Sequence, residues 1–350
     1  MVRSLLLLCL LWVGLGYNLK LYAQVPPTFT STPIETGVFG DAYSYPIETD
    51  DADDDAIDLL IAGTLPANLT FTDNGDGTAL ISGTLLQTGS FPITITAQET
   101  TGALQSADLV FTITVSKRTL TVTADDASRP YGSANPIFSL SYGGFVNGDN
   151  SADLDTPPTA STTASIASDA GTYIITASGG SDNNYDFTYQ PGTLTITQAA
   201  LTATAEDKNR LYGAMNPALT IIYTGFLNGD DASAITPPSI STTAVPGSDA
   251  GSYPINLSGG SAINYILNLV NGTLVVGQAT LTATADDVLR TYGSPNPVLS
   301  ISYIGFVNGD DASSLDAAPI ASTSATITSD VGTYPITLSG GTDTNYNLIN

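Results

Sequence analysis

From Leu120 onward the chain says the same thing three times, and this repetition constrains its fold more than any other feature. "LTVTADD" (120–126) returns as "LTATAED" (201–207) and "LTATADD" (281–287), a period of 81 and then 80 residues. Tyr131-Gly132 recurs as Tyr212-Gly213 and Tyr292-Gly293, and an Asn-Pro pair stands at 135, 216 and 296. "SDAGTY" (168–173) returns as "SDAGSY" (248–253) and "SDVGTY" (329–334), followed each time by "SGG" and then "NY". Between them lies a loop written as "GFVNGDNSADL" (144–154), "GFLNGDDASAI" (225–235) and "GFVNGDDASSL" (305–315). The order never changes, so the chain holds three tandem copies of one small unit.

Within each copy, apolar and polar residues alternate with the period of a strand. Leu120, Val122 and Ala124 share one face, and Thr121 and Thr123 the other. Leu219, Ile221 and Tyr223 repeat the pattern, as do Leu299, Ile301 and Tyr303, and Tyr334, Ile336 and Leu338. Pro254 and Pro335 fall beside such positions, which predicts an edge or a strand end there, because proline donates nothing to a ladder. The last strand is "GTLTIT" (192–197) or "GTLVVG" (272–277). In the third copy Asn350 aligns with Leu269, ahead of that strand. The third unit is therefore expected to be incomplete, and the protein to continue beyond residue 350.

Residues 24–116 lie outside the period. The alternations Phe91, Ile93, Ile95 and Leu109, Phe111, Ile113, Val115 read as half-buried strands, and several short strands with turn signals in about 90 residues predict a β-sandwich. The first 23 residues read differently. Arg3 precedes an apolar run from Leu5 to Leu15 that is too short to span a bilayer, and Ala23 offers a small residue for cleavage. This is the pattern of a secretory signal peptide, while Leu6, Leu7 and Leu8 before Cys9 speak against a lipoprotein signal.

Removing that segment takes away the only Cys, the only Trp, Arg3 and Lys20. Six basic residues then face 33 acidic ones, a net charge of −27. With no His and no remaining Cys there is no Ser-His-Asp or Cys-His nucleophile and no zinc site of the usual kind. So acidic a surface argues against nucleic acid and anionic membranes. No second apolar run is long enough for a transmembrane segment.

Residues 24–116 resemble the immunoglobulin-like or dystroglycan-type cadherin-like domains of bacterial surface proteins, through the order "LPANLTF…GTALISGT…GSFPITITA". The order "LTATAxD…YG…NP…GFxNGDD…GTY…SGG…NY" resembles the MBG domain of the YGX type over essentially all of 119–350. That resemblance implies a mainly β fold, tandem display on secreted bacterial proteins and no catalytic residues. It also implies a β-grasp-like sheet with one short helix for the repeats, with immunoglobulin-like sandwiches as the alternative. The expected domains are a signal peptide (1–23), an immunoglobulin/cadherin-like sandwich (24–116), and MBG repeats at 117–198, 199–278 and 279–350.

Four acidic features are candidate sites. In the thrice-written loop, Asn-Gly can form a type I′ turn. The expectation is that Asp310 caps a short helical turn with Asp311 inside it, and that Asp230-Asp231 and Asp149-Asn150 do the same. The pairs Asp125-Asp126, Glu206-Asp207 and Asp286-Asp287 end the first strand of each unit, where one carboxylate of each can face a domain junction. "DNGDGT" (73–78) reads as a hairpin turn. "DDADDDAID" (50–58) is the densest run, and Asp50, Asp51, Asp53, Asp54 and Asp55 are the metal candidates, as oxygen ligands for a weakly bound calcium ion; no other cofactor is expected. Tyr142, Tyr173, Tyr223 and Tyr334 sit at strand-alternating positions and read as core rather than as a sugar platform.

The expectation that follows is a non-catalytic, secreted or cell-surface repeat protein, an adhesin-type stalk of semi-rigidly joined units. Four such units of roughly 30 Å each would reach on the order of 120 Å in line. The alternatives are a module that binds surface glycans or host or neighbouring-cell proteins, and accessory domains of an extracellular enzyme whose catalytic part lies beyond residue 350.

Overall fold

The computed structural model describes residues 25–52, 54–101 and 106–350. The expected signal peptide lies outside the described residues. The described residues form two compact units: one comprises those up to Asp125 with Phe138–Ser161 and Ile175–Gly192, the other Asp126–Ile137, Thr162–Ile174 and Thr193–Asn350.

The immunoglobulin-like segment supplies β1 (Thr28–Phe29), β2 (Thr36–Val38), β3 (Ala42–Asp50), β4 (Ile57–Gly63), β5 (Leu69–Asp73), β6 (Thr78–Thr84), β7 (Gly89–Glu99) and β8 (Ser106–Ser116). They make two four-stranded sheets, β1-β3-β6-β5 and β2-β8-β7-β4. The alternation read from sequence fills the space between them. Tyr45, Ile47, Leu59, Ile81, Ile93, Ile95 and Ile113 are all at most 1% exposed. Each such aliphatic side chain contributes about 1.5–3 kcal/mol on leaving water. "DNGDGT" is the tight turn between β5 and β6, with Gly75 and Gly77 in the left-handed region.

The first repeat supplies β9 (Arg118–Ala124), β10 (Ala127–Pro130), β11 (Leu140–Gly143), β12 (Thr159–Thr162), β13 (Gly171–Ser178), β14 (Tyr185–Gln190) and β15 (Gly192–Thr197). Its β9, β11 and β14 belong to the first compact unit, and β10 to the second. The second repeat lies wholly in the second unit and shows the plan best. Its strands are β16 (Ala199–Ala205), β17 (Lys208–Leu211), β18 (Ile221–Thr224), β19 (Ser239–Thr242), β20 (Gly251–Ser258), β21 (Tyr265–Val270) and β22 (Gly272–Gly277). One sheet has the order β18-β16-β21, with β16 antiparallel to β18 and parallel to β21. The other has the order β17-β22-β20-β19, with β22 parallel to β17 and antiparallel to β20. Between them lie Ala203, Ala205, Ile255, Leu257 and Leu274. Pro254 pairs with β22 but lies beyond the end of the β19 ladder, so its missing N–H costs no bond there.

The second repeat is therefore a two-sheet sandwich, and the grasp-type sheet with its helix is not what forms there. The only helical residues described are two three-residue 3-10 turns, Ala232–Ala234 and Ala312–Ser314. The reason is local: Pro237-Pro238 follows within three residues of the first, and a run this short cannot repay helix nucleation.

The third repeat supplies β23 (Ala279–Ala285), β24 (Ile301–Ile304), β25 (Ile320–Thr323), β26 (Ile336–Ser339) and β27 (Tyr346–Ile349). Its first sheet, β24-β23-β27, matches its counterpart, but its second holds only β25 and β26.

Candidate functional site

The acidic run 50–58 connects β3 to β4, and the structure selects from it. Asp51 and Asp55 turn toward Glu99 at the end of β7, and one carboxylate oxygen of each lies within 4.8 Å of the other two. Asp51 Oδ2 accepts the amide of Asp55 at 3.1 Å, which closes the loop on itself. Thr101 steadies the other side: its hydroxyl donates to Asp55 Oδ1 (3.1 Å) and accepts the amide of Ala56 (3.2 Å). Asp55 Oδ2 is buried and has no hydrogen-bond partner among the described residues. Asp50 and Asp54 are exposed and stand outside this cluster, Asp54 in the left-handed region at φ 60°. Asp53 lies outside the described residues.

Glu99 is the residue sequence reasoning missed, although a signal was present. β7 buries Ile93, Ile95 and Ala97, and the next inward position is Glu99, which is fully buried. A carboxylate in the inward phase of a strand is costly unless something compensates its charge. Three carboxylates this close repel one another, and a hard cation that trades water for carboxylate oxygens relieves that repulsion.

The thrice-written loop has another role. Asn147, Asn228 and Asn308 and the glycines after them all take positive φ, and the next amide bonds back to residue 146, 227 or 307. This is the Asn-Gly turn, formed in all three copies. In the second and third copies the helical turn that follows is capped by Asp231 and Asp311, which accept the amides of Ser233 and Ser313 at 2.8 Å. The cap is thus one residue later than expected. Asp230 and Asp310 are free for a different task, because the Asn-Gly turn has already reversed the chain and aims them at tyrosines.

Asp230 Oδ2 accepts two hydroxyls, from Tyr131 of the preceding repeat (3.0 Å) and from Tyr265 of its own (2.6 Å). Asp310 Oδ2 does the same with Tyr212 (3.0 Å) and Tyr346 (2.8 Å). The rings meet edge to face, with centroids 5.5 and 5.6 Å apart. The glycine after each donated tyrosine explains the Tyr-Gly pair. Gly132 and Gly213 take φ of 78° and 82°, and a Cβ there would lie 2.8 Å from Leu227 or 2.4 Å from Val307.

A second fastening uses the "SDAG" and "NY" motifs. Asn264 donates to Asp169 (2.9 Å) and accepts the amide of Ala170 (2.8 Å). Asn345 repeats this with Asp249 and Ala250 at the same distances. Arg129 and Arg210, both nearly buried, tie the Asn-Pro asparagines Asn135 and Asn216 into the trailing loops of their repeats.

The first unit contains a variant of this joint. Phe39-Gly40 stands where the repeats have Tyr-Gly: Phe39 meets Tyr185 edge-on at 5.4 Å, and Gly40 lies against Val146. Tyr185 donates to Asp149 at 2.7 Å, while Arg118 donates to the Phe39 carbonyl and pairs with Asp41. Burial pushes the hydroxyls of Tyr185, Tyr265 and Tyr346 up to about 12, and the adjacent carboxylate adds to the shift.

The paired acids at the strand ends stay within their own repeats. Asp125 and Asp286 each accept two serine hydroxyls, and these bonds hold both carboxyls below the usual range. Asp126 and Asp207 accept the amides of Thr193 and Thr273 at 2.7 Å. Tyr142, Tyr173 and Tyr223 are half-buried, and Tyr334 is exposed.

The family described as MBG domain (YGX type) matches residues 120–195, 201–275 and 281–350, and that described as Putative Ig domain matches residues 26–116. No curated protein matches the chain. Among solved structures, a nucleoside hydrolase-related hypothetical protein from Saccharophagus degradans is 13% identical, covering 27% of this chain and 26% of its own, at a TM-score of 0.22. The SrpA adhesin from Streptococcus sanguinis is 18% identical, over 27% of this chain and 60% of its own, at 0.23. Mouse cadherin-23 EC22-24 is 11% identical, over 72% of this chain and 98% of its own, at 0.29. The chain thus spans less than two thirds of the first two structures, and TM-scores this low assign no function.

Proposed function

Because the chain belongs to the MBG domain (YGX type) family, we propose that it is a non-catalytic module of a secreted or cell-surface bacterial protein, whose repeats space or present an adhesive part away from the cell. The working domain boundaries are those read from sequence: 24–116, 117–198, 199–278 and 279–350. One observation carries the reading. The residues that recur most strictly, Tyr-Gly, Asn-Gly-Asp and Asn-Tyr, are spent on fastening one repeat to the next. A chain whose most regular chemistry serves its joints is suited to transmitting position rather than turning over a substrate. Among the described residues no helix is long and apolar enough to cross a membrane. Small-angle scattering tests the reading: an extended particle supports a spacer, and a compact globule overturns it.

A second reading concerns the amino-terminal sandwich. The convergence of Asp51, Asp55 and Glu99, with a buried Asp55 oxygen left over, supports a weakly held calcium ion that stiffens the β3–β4 loop against β7. Isothermal titration with calcium tests it on the intact chain: one equivalent of heat that Glu99→Gln removes supports the site, and no heat overturns it.

A further inference from the structure

In the second repeat the first strands run beside the last ones, and in the same direction. β16 lies parallel to β21, from Ala199 opposite Tyr265 to Thr204 opposite Val270. β17 then lies parallel to β22, from Lys208 opposite Leu274 to Leu211 opposite Gly277. Both runs change sheet at the same level, β16 to β17 through Glu206-Asp207 and β21 to β22 through Asn271. The crossing is itself held: Asp207 accepts the amide of Thr273 at 2.7 Å, and a Cβ at Gly272 would lie 2.5 Å from the carbonyl oxygen of Ala205. One parallel ladder therefore continues into the next, with the second acid of the strand-end pair tying them together. The first repeat has the same registers, β9 beside β14 from Arg118 opposite Tyr185, and β10 beside β15 from Ala127 opposite Leu194.

This order decides how the repeat meets a pull along the chain. Tension enters at the start of β16 and leaves at the end of β22. It draws the leading and the closing strands in opposite directions along their common axis, so they part only by sliding. Sliding breaks the parallel ladder bonds together, whereas strands peeled from one end break them one at a time. The force a module withstands follows the barrier to its unfolding, and a barrier made of many bonds at once is high. The outer strands β18 and β19 lie off this path, each joined to a single neighbour by an antiparallel ladder. The amides that carry the load can be told apart. Tyr212 donates to Gly277 at 2.8 Å, and alternate amides of an extended strand face the same edge. The amides of Lys208 and Arg210 therefore face β22 as well, and those of Asn209 and Leu211 face away. The first repeat agrees: it has Pro130, opposite Thr197, at the position of Leu211, so a residue with no amide to give stands where none is used.

We propose that the first and second repeats are load-bearing modules, in which the leading and closing strands form a shear clamp against tension along the chain. The proposal rests on the spacer reading for the tension, and goes beyond it by assigning the strand-end acids and the Gly-Thr-Leu glycines to resisting force.

The test pulls the full chain, without Cys9, in optical tweezers through handles on two introduced cysteines. With Gln198→Cys and Gln278→Cys, both at exposed positions, tension runs along the second repeat. With Ser239→Cys and Ser258→Cys, which stand opposite each other at the ends of β19 and β20, it peels these two strands apart. At one loading rate the first direction is expected to need about two-fold or more the force of the second. Lys208→Pro is expected to lower the force along the chain and to leave the peeling force unchanged, which shows that the repeat still folds. Asn209→Pro, one position along the same edge strand, is expected to change neither. Equal forces in the two directions overturn the clamp, and so do equal losses from the two prolines. Either result leaves the spacer reading standing, which scattering tests separately.

Discussion

Tyr131 and Tyr265 meet edge to face across the joint between the first two repeats, 5.5 Å apart, and both donate to one oxygen of Asp230. The same clasp recurs one repeat later on Asp310. Its energetics follow from its chemistry. Hydrogen bonds to a charged acceptor contribute about 1.5–3 kcal/mol each, and a buried hydroxyl left without its acceptor costs its desolvation besides.

Asp230→Ala is therefore expected to destabilise the region around the joint by about 2–4 kcal/mol, and Tyr131→Phe by about half of that. The two changes act on one bond, so the double variant should lose less than the sum of the singles. A double-mutant cycle read by segment-resolved hydrogen exchange measures the coupling, and a value near zero would show that the clasp is incidental.

The Tyr-Gly glycines offer a comparison with its own control. Gly132, Gly213 and Gly293 take nearly the same φ, 78° to 82°, but only the first two lie against a neighbour. Alanine at Gly293 should cost only the left-handed strain, about 1–2 kcal/mol. Gly213→Ala should cost about 1–3 kcal/mol more, because its Cβ meets Val307. Equal losses in the two variants would mean that the glycine serves the turn alone.

Alkali should loosen the joints. Tyr265 and Tyr346 keep their protons up to about 12 in the folded chain, whereas an unfolded tyrosine ionises near 10. Between these values the unfolded state binds fewer protons, so stability falls as pH rises through that window. Denaturant midpoints at pH 9, about 10.5 and about 11.5 check this. The variant Tyr265→Phe, Tyr346→Phe, less stable at neutral pH, should show a shallower decline.

Calcium should act on the amino-terminal sandwich alone. At a free concentration about 100 times its dissociation constant, one ion bound only to the folded state adds about 2.7 kcal/mol. Exchange within β4 and β7 should slow accordingly when calcium replaces chelator, and Glu99→Gln should abolish the effect. An unchanged exchange pattern would show that the cluster holds no calcium.

Much of this was readable before any coordinates. The three copies, their strand alternation, the β5–β6 turn and the Asn-Gly turn all follow from periods and residue types that act over a few positions. The joints were not readable, because each is assembled from the Tyr-Gly and "SDAG" of one repeat and the Asn-Gly-Asp and Asn-Tyr of the next. The division of labour between Asp230 and Asp231 shows the limit well. Both can cap a helical turn, and only the tyrosines of two different repeats decide which one does. Glu99 was hidden in the same way, far along the chain from the run 50–58 that it joins.

The central claim is that the recurring acid and tyrosines fix one repeat against the next. Spin labels at Thr195→Cys and Asn268→Cys, both on exposed positions flanking the first clasp, test it most directly by pulsed dipolar spectroscopy in a chain without Cys9. A single narrow distance distribution is expected, broadening clearly when Asp230→Ala is introduced. A distribution of the same width with and without the Asp230 carboxylate would contradict the account.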